Sequence, residues 1–162
     1  MKQNYFDFII CGGGASGLLL LKALREDPYF NTQSILVVEK ELKNTNDRTW
    51  CYWELPEGNF DPLLTKTWNQ AQFCSKTIHQ EFPLAPLQYK MLRSAGVYQT
   101  FYKRFKQEEN TTFLQAEIQD IRTEGDFTEI VTTEGKFQSK RVFNSLFNPK
   151  PLWNQKKYPV LQ

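Results

Sequence analysis

The stretch "FIICGGGASGLLLLKALRED", residues 8 to 27, constrains this chain more than any other. A short apolar run meets three successive glycines and re-emerges as a leucine-rich segment. "YFDFIIC" (5 to 11) is rich in β-branched and aromatic residues and reads as a buried strand. "ASGLLLLKALRE" (15 to 26) reads as a helix; its apolar positions nearly surround it, so burial on most faces is expected. A secretion signal does not fit: Asp7 interrupts the apolar run, the glycines break it, and no small-x-small cleavage site follows. Nor does any uninterrupted apolar segment approach the ~20 residues that span a bilayer.

"DPYFNTQ" (27 to 33) carries Pro and Asn and reads as a connection. "SILVVEK" (34 to 40) is a second strand, apolar in the manner of parallel strands covered on both faces. Strand, helix and strand make a βαβ unit with a right-handed crossover. Within it, Gly12, Gly14 and Gly17 form G-x-G-x-x-G between a strand and a helix, with Gly13, Ala15 and Ser16 completing the turn. Each glycine has a task. Gly12 permits the tight turn, Gly14 keeps side-chain atoms away from an approaching pyrophosphate, and Gly17 lets helix and strand pack closely. The free N–H groups and positive dipole end of the helix face the phosphate charge. Glu39 closes the second strand about 20 residues further on, where a carboxylate accepts hydrogen bonds from a ribose diol and repels a 2′-phosphate. Lys40 follows it and is counted with the site. This is a dinucleotide cradle, and it disfavours NADP.

The rest of the chain narrows the choice of dinucleotide. "ELKNTNDRTWCYWELPEGNFDPL" (41 to 63) reads as a long functional loop. A helix is expected near "SAGVYQTFYKRFKQEE" (94 to 109), where Val97, Phe101 and Phe105 keep helical spacing. Three strands are expected at 111–121, 127–133 and 136–145, with Gly125 and Gly135 at the turns of a meander. The segment "NPKPLWNQKKYPVLQ" (148 to 162) has three prolines and no expected terminal element. An amino-terminal cradle followed by a meander, in place of further βαβ winding, favours FAD over NAD. The fold class is therefore α/β, a Rossmann-like FAD-binding domain of βαβ unit plus β-meander.

Composition bounds the remaining possibilities. A net charge of +2 without a basic stripe argues against a nucleic-acid partner, and the Lys103–Lys106 and Lys156–Lys157 clusters read as solvated surface. Cys11, Cys51 and Cys74 are odd in number and contain no C-x-x-C, which argues against a disulfide framework or a zinc site and fits a reducing cytoplasm. His79 is the single histidine and reads as an exposed loop residue, so no multi-histidine metal site is expected.

The string "NDRTWCYWE" (46 to 54), following such a cradle and joined by "QYKMLRSAGVY" (88 to 98), "DFIICGGGASGLLL" and "ILVVEK", resembles the lycopene cyclase family. The similarity runs the length of the chain, through "VFNS" and "KYPVLQ". The glycine motif is shared by many flavoproteins; the Asn-x-x-Thr-Trp string is more specific. The resemblance implies a glutathione-reductase-type fold, bound FAD, and conversion of the acyclic ψ-ends of lycopene into β-rings without net redox change. On the same resemblance, NAD(P)H would serve only to reduce the flavin. By position, it implies that Gly12 to Gly17 and Glu39 would hold the ADP half of FAD, that Arg48 and Arg93 would reach toward it, and that Trp50, Tyr52 and Trp53 would line a polyene channel.

The resemblance also implies that residues 1–162 are the amino-terminal FAD/NAD(P)-binding domain of a longer enzyme. The substrate half and the catalytic acid are then expected beyond residue 162; Glu54, Glu57 and Asp61 carry no spacing that marks an acid. A lipid-soluble substrate implies a cytoplasmic protein in peripheral contact with the inner membrane. Two alternatives share the residues: an FAD-dependent monooxygenase or prenyl-chain reductase of the same fold, and an inactive nucleotide-binding remnant.

Overall fold

A computed structural model describes residues 4–41 and 43–146. The elements begin with β1 (Tyr5–Cys11), α1 (Ala15–Glu26), β2 (Ile35–Glu39), β3 (Thr49–Glu54), β4 (Leu64–Trp68), β5 (Gln70–Cys74) and β6 (His79–Pro83). They continue with β7 (Gln88–Arg93), α2 (Ser94–Phe105), β8 (Thr111–Gln115), β9 (Ile118–Glu124), β10 (Phe127–Thr132) and β11 (Gly135–Asn144). The proline-rich segment 148–162, with Lys156 and Lys157, lies outside the described residues. The chain divides into two compact units, one of Met1–Leu42 with Lys106–Gln162 and the other of Lys43–Phe105.

The first unit is built on a six-stranded sheet in the order β8-β2-β1-β11-β10-β9. β1 runs parallel to both β2 and β11, and β2 runs parallel to β8; β9, β10 and β11 form an antiparallel meander. Ile35, Leu36, Val37 and Val38 are all buried, which is why β2 is apolar at every position rather than at alternate ones. Asp7, which interrupts the apolar run of β1, has a partner: its carboxylate accepts from the Ser34 N–H and hydroxyl at 2.8 Å each, clasping the starts of β1 and β2. Arg25 does the same at the end of α1, donating to the Thr111 hydroxyl at 2.8 Å and to the Phe30, Gln33 and Asn110 carbonyls. Phe6, Ile9, Cys11, Leu36, Val38, Ala116, Ile130 and Phe137 form one buried cluster.

Two expectations change here. α1 buries a single stripe, Gly17, Leu18, Leu21 and Leu24, while Leu19 stays 44% exposed. Its apolar girdle exceeds what one packing surface can cover. The segment 111–121, expected as one meander strand, is two. β8 completes the parallel ladder and stops where the Ala116 N–H donates to the Glu39 carbonyl at 3.0 Å. The chain then turns into β9 through reciprocal bonding of Glu117 with Thr133.

The second unit holds a three-stranded antiparallel sheet in the order β3-β7-β4, the two-stranded β5–β6 ribbon, and α2. The expected loop 41–63 thus contains β3, paired with β7 along its whole length. α2 buries Val97, Phe101 and Phe105 at the expected spacing and ends at Phe105 rather than near 109. One side chain organises the turn after β3. The Lys90 ammonium is fully buried and donates to Asp61 at 2.7 Å, Glu54 at 3.0 Å and the Pro56 carbonyl at 3.1 Å. Gly58 packs so closely on the Glu54 carboxylate that a Cβ there would collide with it.

Candidate functional site

The glycine turn lies where β1 hands over to α1. Gly12 adopts φ +104°, a left-handed conformation that glycine reaches without strain, and its N–H donates to the Val38 carbonyl at 2.8 Å. A Cβ on Gly12 would strike the Ser145 hydroxyl, and one on Gly17 would strike the Gly12 carbonyl oxygen. Both positions are closed by packing within the protein. Gly14 differs: a Cβ built on it meets nothing within 4 Å. Internal packing does not require glycine at 14, which faces open space. Gly14 is also the residue that opens α1, and no side chain caps that helix start. Its first-turn N–H groups are the donors a helix terminus leaves for an incoming anion.

Glu39 stands beside this turn. Its Oε2 accepts from the Gly13 N–H at 2.8 Å and its Oε1 from the Glu41 N–H at 3.3 Å. The carboxylate closing β2 and the glycine turn closing β1 therefore meet, with the side chain half-buried. Lys40 is exposed, and its ammonium lies 3.7 Å from the Glu41 carboxylate. Ser145 completes the turn from the far end of the chain. Its N–H and hydroxyl both donate to the Cys11 carbonyl, at 3.0 and 2.9 Å. "VFNS" carried this residue, but nothing in its sequence neighbourhood ties a serine after β11 to a turn after β1. Cys11 is buried, and burial pushes its thiol up to about 12.

The other candidates belong to the second unit. Arg48 and Arg93 lie at one end of the β3–β7 ladder, where Thr49 and Arg93 are register partners, and both arginines are exposed. The string that carries them works as a clasp on α2. Asn46 Oδ1 accepts from the Ala95 N–H at 3.1 Å, Asp47 Oδ1 accepts from the Ser94 hydroxyl at 2.8 Å, and the Arg48 N–H donates to the Ser94 Oγ at 3.1 Å. Burial alone would raise the Asp47 pKa, but the Ser94 hydrogen bond and the nearby Lys43 charge outweigh it and hold the carboxyl below its usual range.

Trp50, Tyr52 and Trp53 do not share one wall. Alternation along β3 puts Trp50 and Tyr52 on one face and Trp53 on the other. Trp50 packs edge-on against Tyr98 at 5.7 Å, whereas Trp53 is 55% exposed and lies on Tyr89. Among the described residues the buried Tyr52 hydroxyl makes no hydrogen bond.

Of the loop carboxylates, Asp61 is held below its ordinary range by the Lys90 hydrogen bond and the Gly58 N–H. Glu54 shares the same lysine, and Glu57 is exposed. His79 is exposed as expected, though on β6 rather than in a loop. Among the described residues no group of three or more His, Cys, Asp or Glu is placed to hold a metal ion.

Solved structures share this architecture. The p-nitrophenol 4-monooxygenase PnpA from Pseudomonas putida DLL-E4 matches with a TM-score of 0.65 at 14% identity, over 88% of this chain and 41% of that one. PqsL of P. aeruginosa, in complex with 2-aminobenzoylacetate, matches with a TM-score of 0.65 at 14% identity, over 86% and 42%. The flavin-dependent brominase Bmp2 matches with a TM-score of 0.62 at 15% identity, over 91% and 39%. At this identity the likeness is one of fold, and the chain spans about two fifths of the length of these structures. A search of curated proteins finds no match. The fold is thus the Rossmann-like one found in flavin-dependent enzymes. Residues 7–154 match the sequence profile of the family described as Lycopene cyclase protein, and the chain belongs to that family.

Proposed function

We propose that this chain is the FAD-binding portion of a lycopene β-cyclase-like enzyme, which closes the ψ-ends of lycopene into β-rings. The observation that carries the cofactor assignment is the contrast among the glycines. Gly12 and Gly17 are small because the protein packs against them; Gly14 is small facing open space, at an uncapped helix start beside a strand-end carboxylate. These residues fit the ADP half of FAD. Gly14 and the first-turn N–H groups of α1 would receive the diphosphate, and the Glu39 carboxylate would accept from the ribose hydroxyls. Trp50 and Tyr52 are proposed to offer an aromatic surface to the polyene.

When bound, reduced FAD would supply an electron-rich ring system, with NAD(P)H as the reductant. Cyclisation adds a proton to the ψ-end, closes the ring on the resulting carbocation, and releases a proton, so no net electrons are consumed. The reaction needs a neutral carboxylic acid. Asp61 and Glu54 are committed to Lys90 and are not assigned that part.

The test is expression of the full-length gene that encodes this chain in lycopene-accumulating bacteria. β-Ring carotenoids without stoichiometric NAD(P)H consumption are the expected products, and unchanged lycopene overturns the reading. A monooxygenase reading draws on the fold shared with PnpA; it predicts oxygenated product and NAD(P)H oxidation in step with it.

A further inference from the structure

The peptide between Cys11 and Gly12 is held from both sides of β1. On one side the Gly12 N–H donates to the Val38 carbonyl at the end of β2, at 2.8 Å. On the other, the Ser145 N–H donates to the Cys11 carbonyl at 3.0 Å, one step past the last register pair of the parallel β1–β11 ladder, Cys11 with Asn144. The ladder is complete with that bond. The Ser145 hydroxyl then donates to the same carbonyl at 2.9 Å, a second bond that strand pairing does not need. Its oxygen also fills the place a Cβ on Gly12 would take, with the Leu146 side chain 3.5 Å from that place. Beside the serine, the Leu146 N–H donates to the Asn144 Oδ1 at 2.9 Å and fixes the backbone that carries it.

The residues after this peptide have few side-chain anchors of their own. Gly12, Gly13 and Gly14 follow one another, and Gly12 sits at φ +104°, from which a glycine swings into many other conformations at little cost. A peptide plane is rigid, so fixing both its carbonyl and its N–H removes that freedom where the turn begins. The direction set there is passed on: the Gly12 carbonyl backs onto Gly17 of α1, and the Gly13 N–H lies on Glu39. A site gains affinity when its donors are aimed before the ligand arrives, because the ordering cost is then met in folding. We infer that the Ser145 hydroxyl is a positioning residue for the cofactor diphosphate: it locks the Cys11–Gly12 peptide and so aims the glycine turn that leads into α1. This role presupposes the dinucleotide cradle proposed above. It adds to that cradle a side chain 134 positions away from the carbonyl it holds.

FAD titration of the full-length protein that contains this chain, followed by flavin fluorescence, tests it with Ser145→Ala, Ser145→Thr and Gly14→Val beside the wild type. Ser145→Ala keeps the backbone bond and loses the second donor. Its FAD dissociation constant is expected to rise about fivefold, the net worth of one hydrogen bond, with the number of sites per molecule unchanged. Ser145→Thr keeps a hydroxyl and is expected to bind as the wild type does. ADP, used as a competing probe, is expected to weaken by the same factor as FAD. Fewer sites at an unchanged constant would mean that the serine serves only the fold, and overturns the inference. Wild-type affinity in Ser145→Ala overturns it too, as does ADP binding left unchanged. Should Ser145→Ala not fold, Ser145→Cys decides, because it fills the space with a weaker donor: wild-type affinity there refutes the role of the hydroxyl. The cradle and the serine fail separately. A wild type that binds no FAD, or Gly14→Val that binds it as tightly, removes the cradle and this role with it; binding lost in Gly14→Val but kept in Ser145→Ala removes the role of Ser145 alone.

Discussion

Gly14 and Gly17 are three residues apart in one motif, yet their substitutions separate binding from folding. A Cβ on Gly14 meets nothing within 4 Å, so Gly14→Val should leave the chain folded. FAD affinity, followed by flavin fluorescence, should fall at least tenfold. Gly17→Ala drives a methyl into the Gly12 carbonyl and should cost at least about 1–3 kcal/mol of stability, the range for overpacking, measured by urea denaturation. An unfolded Gly14→Val would mean that this glycine serves packing after all. The roles of Gly12 and Gly17 were legible in the sequence because strand, turn and helix are local. The contact of Glu39 with Gly13 was half legible: spacing placed the acid at the strand end, but only the sheet register brings its carboxylate over the turn. Lys90 could not be read at all. A lysine in "QYKMLR" looks like surface, and its burial depends on Glu54 and Asp61, both distant in the chain.

The same lysine governs the turn between β3 and β4. Burial alone would lower its pKa, but hydrogen bonds to Asp61 and Glu54 reverse the sign and raise it above the ordinary 10.5. Asp61 is depressed below 3.8, chiefly by the same hydrogen bond. The signs fix two windows. The Asp61 contribution to stability is present above pH 3.8 and fades as pH falls through the lower folded value. The Lys90 contribution is complete below pH 10.5 and fades as pH rises through the higher one. The urea midpoint of the wild type should therefore decline on both flanks, and Lys90→Met should lower the plateau and remove the alkaline decline. A variant with the wild-type profile would show that the cluster does not tie this turn. In the first unit, Ile130→Ala empties a fully buried site on β10 and should cost about 2–5 kcal/mol, again read by urea denaturation. Strands β1, β2, β10 and β11 were visible in the sequence because burial writes an apolar pattern. β5 and β6 were not, since exposed ribbons carry none, and β3 was hidden among turn-forming residues.

At the scale of the whole molecule, the three thiols report on which parts of the chain are shut to solvent. Cys11 is buried and its thiol raised to about 12, while Cys51 and Cys74 are exposed. Ellman's reagent at pH 8 should titrate Cys51 and Cys74 rapidly and Cys11 only after denaturation; prompt reaction of all three would mean that β1 opens readily. Among the described residues no helix is long and apolar enough to cross a membrane. β1 is made before β11 but pairs with it along its length, and Ser145 grips the Cys11 carbonyl across more than a hundred intervening residues. On the ribosome, then, the turn after β1 waits for Ser145 before it is braced. A nascent chain stalled short of Ser145 should lack a finished cradle, however completely its glycines have been translated.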